Sequence, residues 1–169
     1  MKILIIEDED GIGVVLNKLL GPIRDRYPGA VVEWEKTMEG ARTHLRTIPL
    51  PSVIVWDLVL PDSTLPMTVS AVRTLHPFSP AVIFTGQDRS VVLHELQSDA
   101  EQIEVVEKHD TDWPSRLLSA MCNALTTRVP GDKADTIAEL REIIAGLKDK
   151  GYATSSEPPA TPAQPTGRV

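Results

Sequence analysis

The stretch from Pro51 to Asp62 constrains this chain most. Every residue from Val53 to Leu60 is apolar except Asp57, and Pro61 and Asp62 follow at once. The apolar residues do not alternate with polar ones. That is the pattern of a strand covered on both faces, and so of the interior of a parallel sheet. A carboxylate at the C-terminal end of such a strand stands where open α/β sheets bind ligands. Asp57 can equally be a turn former, because aspartate bonds its own backbone two residues on. The rest of the chain bears on that choice.

Taken in order, Ile3 to Ile6 is a second apolar run, broken by Glu7-Asp8-Glu9-Asp10. Gly11 to Leu20 carries Ile12, Val15, Leu16, Leu19 and Leu20 at helical spacing, and Gly21-Pro22 is expected to stop it. Ala30 to Glu35 has strand composition. Thr37 to Thr47 is amphipathic, with Thr37 as its expected N-cap. After the central strand, Val69, Val72 and Leu75 mark a helix ended by His76-Pro77. Ala81 to Phe84 is a short strand left through Thr85-Gly86, and Ser90 to Leu96 is helical. Ile103 to Val106 is a last strand, closed by Glu107-Lys108-His109. Asp112 to Thr126 completes the series as a helix with Pro114 in its first turn. Strands alternating with helices in this way predict βαβ units, a parallel sheet and helices on both faces.

These elements fill residues 1–128 as one domain. Pro130-Gly131 marks a boundary. Residues 129–150 read as a linker and an amphipathic helix with Ile137, Leu140, Ile143, Ile144 and Leu147 on one side. Residues 151–169 are rich in Pro, Ser, Thr and Ala and are expected to be disordered. The net charge of −7 argues against a general nucleic-acid binder. The single cysteine, Cys122, lies in an apolar helical pattern and reads as a buried hydrophobe. No apolar run approaches a membrane span, and Met1–Leu4 does not open a signal peptide, so a cytoplasmic location is expected.

A parallel sheet gathers the C-termini of its strands along one edge. Glu7 and Asp8 arrive there from the first strand, Asp57 from the third, Thr85 from the fourth and Lys108 from the fifth. Unpaired, the three carboxylates would repel one another. A hard divalent cation relieves this, and Mg²⁺ takes one or two carboxylates, waters and phosphate oxygens. His44, His76, His94 and His109 show no metal spacing and are read as surface or packing residues.

The set Glu7-Asp8, Asp57, Thr85 and Lys108, together with the segments Ile5–Asp8 and Asp57–Asp62, resembles the receiver domain of two-component response regulators. The resemblance covers Met1 to about Arg128. It implies a flavodoxin-like sheet of order 2-1-3-4-5 and a phosphoryl-accepting Asp57, served by a sensor histidine kinase or a phosphotransfer protein. It further implies Mg²⁺ on Asp8, Asp57 and the Val59 carbonyl, with Glu7 acting through water. Lys108 and the Thr85 hydroxyl would contact the phosphoryl group, and the switched surface would lie around 90–96 and the fifth strand. Such a domain modifies its own Asp57 and is not an enzyme acting on an external substrate.

Two positions depart from the family. Val105 stands where an aromatic residue is usual, so a different or weaker readout is expected, and His109 stands in place of proline. The roughly 40 residues beyond the last helix of the domain are too few and too little basic for a helix-turn-helix output. Signalling by contact with a downstream protein, or by phosphorelay, is therefore expected. The helix at 132–150 either pairs with a second copy, giving a dimer, or docks on its own domain. Two other functions compete. One is a receiver-fold scaffold that works without phosphorylation. The other is a phosphohydrolase, which ranks last because such enzymes commonly carry the nucleophile on the first strand.

Overall fold

The structure, a computed structural model, describes residues 1–26, 28–46 and 49–126. The expectations for 129–150 and 151–169 lie outside the described residues. Five parallel strands form one sheet in the order β2-β1-β3-β4-β5. They are β1 (Lys2–Ile6), β2 (Val31–Glu35), β3 (Val53–Trp56), β4 (Ala81–Thr85) and β5 (Glu104–Glu107). The helices are α1 (Asp10–Leu19), α2 (Gly21–Arg26), α3 (Met38–Leu45), α4 (Leu65–Leu75), α5 (Arg89–Leu96) and α6 (Trp113–Thr126).

The uninterrupted apolar runs have a direct cause. Successive side chains of a strand point to opposite faces, and here both faces are covered. Ile3, Ile5, Val53, Val55, Val82, Phe84 and Val106 pack with Leu16, Leu20, Leu117 and Met121, on the side of α1, α2 and α6. Leu4, Ile6, Ile54, Trp56, Ile83 and Val105 pack with Met38, Val69, Val72, Val92 and Leu96, on the side of α3, α4 and α5. All four residues of β3 are buried, as expected of the strand at the centre of the sheet.

Two expectations need correction. Gly21-Pro22 does not end the helical region. Leu20 closes α1, and the chain resumes helix at once in α2, where Pro22 occupies the first turn and its missing N–H costs nothing. The described residues therefore hold six α-helices rather than five. The last strand also runs one residue later than expected, with a 3-10 turn at Gln97–Glu101 leading towards it.

Thr37 caps α3 as expected, its hydroxyl accepting from the Gly40 N–H at 3.0 Å. The next contribution comes from the loop after β3. Asp62 accepts from the N–H groups of Met38 (2.8 Å) and Glu39 (3.0 Å). Together the two side chains satisfy three of the four N–H groups that a helix start leaves without partners. Asp62 thereby ties the β3 loop to the start of α3, and its carboxyl is held below the usual range, first by the Met38 N–H.

Candidate functional site

The sheet register sets which residues meet. Ile6 pairs with Trp56, Trp56 with Ile83, and Ile83 with Val105. One step further on, Glu7 and Asp57 leave adjacent strands at the same level. Thr85 leaves β4 one step beyond that, paired with Glu107, and Lys108 follows. The Asp57 N–H still donates to Ile6 O (2.9 Å) and the Lys108 N–H to Thr85 O (2.8 Å), so the sheet pins the main chain of both residues.

Carboxylate oxygens of Glu7, Asp8 and Asp57 all lie within 4.8 Å of one another. Glu7 is 1% and Asp57 4% exposed, whereas Asp8 faces solvent. The Lys108 ammonium bridges the two buried acids, donating to Glu7 Oε1 at 2.8 Å and to Asp57 Oδ2 at 2.7 Å. It also stands 2.7 Å from Glu7 Oε2. The bond angle there is poor, and this buried oxygen has no hydrogen-bond donor. The other Asp57 oxygen, Oδ1, accepts from the Val59 N–H at 3.0 Å. The turn-forming and ligand-facing readings of Asp57 are thus compatible, one oxygen serving each.

Burial pushes Glu7 up to about 7, against the opposing pull of Lys108 and with a further push from Asp57. Burial acts on Lys108 in the other direction, but its bonds to Asp57 and Glu7 outweigh it and hold the ammonium above its ordinary range. A buried acid that resists ionisation beside two other acids is short of positive charge. Three carboxylates and a lining of Asp8, Glu9, Asp57, Val59, Gly86 and Lys108 around a 420 Å³ cavity fit a hard divalent cation with water and phosphate oxygens.

The expected site residues are not all placed alike. Glu7, Asp8, Asp57 and Lys108 converge, and Val59 lines the cavity, half-exposed. Thr85 is fully buried at the end of β4. Its hydroxyl accepts a long bond from the Gln87 N–H (3.3 Å), and its neighbour Gly86, not Thr85 itself, lines the cavity.

The structure adds residues that the spacing did not single out. Lys108 Nζ stands 5.5 Å over the Phe84 ring, and Phe84 packs against Trp113 at 4.9 Å between centroids. The Trp34 indole donates to Glu7 O at 2.8 Å. Two of the histidines have acidic neighbours that the sequence did not show. Ligand atoms of Asp88, Glu107 and His109 lie within 4.8 Å of one another, a grouping hidden in the sequence because Asp88 comes from another loop. Glu107 is already engaged there, accepting from the Arg89 N–H at 2.7 Å. His44 stands between Glu33 (2.9 Å) and Glu35 (2.7 Å).

No family model and no curated protein matches this sequence. Solved structures do. The non-phosphorylated HemR receiver domain from Leptospira biflexa superposes with a TM-score of 0.57 at 22% identity, covering 78% of this chain and 98% of that one. A two-component response regulator from Clostridium difficile gives 0.58 at 18% identity, over 78% and 99%. The Mn²⁺-bound form of response regulator Rcp1 gives 0.52 at 13% identity, over 93% and 98%. The described chain has the flavodoxin-like fold of response-regulator receiver domains. No helix among the described residues is long and apolar enough to cross a membrane.

Proposed function

We propose that the chain is a cytoplasmic phospho-accepting receiver. In this reading Asp57 takes a phosphoryl group from a phosphohistidine of a sensor histidine kinase or phosphotransfer protein, and the modified domain signals by binding another protein. One observation carries the reading: a buried aspartate at a strand end opens on a cavity beside two further acids and is bonded to a lysine from another strand.

The chemistry is a displacement at phosphorus. A carboxylate oxygen of Asp57 forms a P–O bond as the P–N bond of the donor breaks, and the electron pair returns to the imidazole. The product is an acyl phosphate. Asp8, Asp57 and the Val59 carbonyl would hold a Mg²⁺ ion, with Glu7 acting through water. A cation held there would supply positive charge between the acids and the incoming group. Lys108, held over Phe84, offers its ammonium to a phosphoryl oxygen as a point charge. The Thr85 hydroxyl gives up its long contact with Gln87 and donates to the phosphoryl group.

The readout then runs through Arg89. Its N–H bonds Glu107 and its guanidinium donates to Val105 O at 2.8 Å, so the start of α5 is tied to β5. Val105 is buried in the core beside α5, and movement of the Thr85–Gln87 loop reaches the surface through this tie without an aromatic residue at 105.

Incubation with Mg²⁺ and acetyl phosphate, read by intact mass, tests the proposal. The wild type is expected to gain one phosphoryl group and Asp57→Asn none. No gain and no cation binding would leave the phosphorylation-independent scaffold. For 132–150, where docking on its own domain is the alternative, a homodimer is one outcome open under this reading. Gel filtration of a chain ending at Arg128 beside the full chain tests it, and an unchanged oligomeric state removes it.

A further inference from the structure

The Glu7 main chain is held by β2 on both sides. Its N–H donates to Glu35 O at 2.8 Å and its carbonyl accepts from the Trp34 indole at 2.8 Å. β2 ends at Glu35 and the chain turns into α3, so the strand ladder runs out just where the acid pair begins. The indole takes over the role of a further main-chain donor. Its ring is wedged as well as bonded. A Cβ at Gly13, in the first turns of α1, would stand 3.1 Å from Trp34 Cζ2 and 3.3 Å from Cη2. Glycine at 13 lets α1 close on the ring. The Gly13 N–H bonds Glu9 O at 3.0 Å, which returns the contact to the same loop.

We infer that Trp34 is a positioning residue of the cation site: its indole N–H fixes the Glu7–Asp8 peptide and so the place of the Asp8 carboxylate opposite Asp57. The inference rests on the reading of the site given above. Asp8 needs such support more than its partners do. Glu7 and Asp57 are buried and braced by Lys108, whereas Asp8 is exposed and stands on the loop between β1 and α1. Groups that orient metal ligands from behind typically change affinity by tenfold or more when removed.

The test is calorimetric titration of the full chain with Mg²⁺, for the wild type, Trp34→Phe and Asp8→Asn. Phe keeps a ring against Gly13 and loses the donor. Trp34→Phe is expected to weaken Mg²⁺ binding about tenfold, with a melting temperature in EDTA close to that of the wild type. A second readout separates positioning from packing. The indole N–H resonance of Trp34, identified by its loss in Trp34→Phe, is expected to shift as Mg²⁺ is added, and not to shift in Asp8→Asn. Equal affinities of wild type and Trp34→Phe, or an indole resonance indifferent to Mg²⁺, overturn this inference alone. A wild type that binds no Mg²⁺ overturns it together with the reading on which it rests.

Discussion

Lys108 does two jobs at once in the site. It neutralises Asp57 and half-satisfies Glu7, whose second oxygen keeps no donor. The consequence for stability can be given a sign. Unfolded Glu7 releases its proton near 4.5 and folded Glu7 near 7. Between those values the native state holds one more proton than the unfolded chain, so stability falls as pH rises through that window and is level above it. The loss is about 3 kcal/mol at full effect. Lys108 is raised above its ordinary range and stays charged throughout, so it adds no slope there. Glu7→Gln, neutral at every pH, should therefore match the wild type near pH 4.5 and exceed it at pH 8 in urea titrations. A wild-type stability level across pH 5 to 7 would refute the assignment. Val59 supports a kinetic expectation. Its half-exposed apolar side chain beside Asp57 cannot orient a hydrolytic water. Val59→Asn should shorten the lifetime of the acyl phosphate, and an unchanged decay sinks the idea. Glu7, Asp8, Asp57 and Lys108 were legible in the sequence because each stands at or just past the end of an expected strand, and parallel strands bring such ends to one edge. Trp34 and Phe84 were not. They lie inside strands where nothing local marks them, and their contacts with the site are with residues at least 24 positions away in the chain.

At the scale of elements, α3 depends on its borrowed cap. It is only eight residues long, and isolated helices of that length are marginal. Asp62 supplies acceptors for the Met38 and Glu39 N–H groups from outside the helix. Asp62→Ala should cost about 1 kcal/mol, seen as a lower urea midpoint, with faster amide exchange at Met38 and Glu39. The carboxyl of Asp62 is held below its ordinary range, so its contribution is present above the unfolded pKa and fades as pH falls through the folded one. The penalty of Asp62→Ala should accordingly shrink in acid. A penalty equal at pH 3 and pH 7 would show that the bonds drawn to Asp62 do not hold α3. Here the sequence carried half the message. Thr37 was recognisable because an N-cap precedes its helix locally. Asp62 read as a turn residue after Pro61, since nothing local reveals a cap given to a helix 23 residues earlier. The split between α1 and α2 was missed for a related reason. Gly-Pro commonly ends a helix, but proline is equally at home in the first turn of the next one.

For the whole molecule, a parallel sheet with helices on both faces followed from alternation, because uninterrupted apolar strands separated by amphipathic helices leave few other arrangements, whereas the order 2-1-3-4-5 was implied only by the resemblance to receiver domains. The same alternation brings three carboxylates to one edge, and the folded chain keeps their oxygens within 4.8 Å of one another. An ion that binds only the folded form stabilises it by mass action, by about 2.7 kcal/mol at a hundred times its dissociation constant. For a domain of this size that is roughly 10 °C in melting temperature. The proton on Glu7 opposes the ion, since folded Glu7 is pushed up to about 7 by burial. Mg²⁺ should therefore raise the melting temperature more at pH 8 than at pH 5.5, and its binding at pH 6.5 should release protons, visible as a binding enthalpy that depends on the buffer. EDTA should abolish the rise, and Asp8→Asn should blunt it at both pH values. An equal rise at pH 5.5 and pH 8 would mean that the ion does not compete with the Glu7 proton.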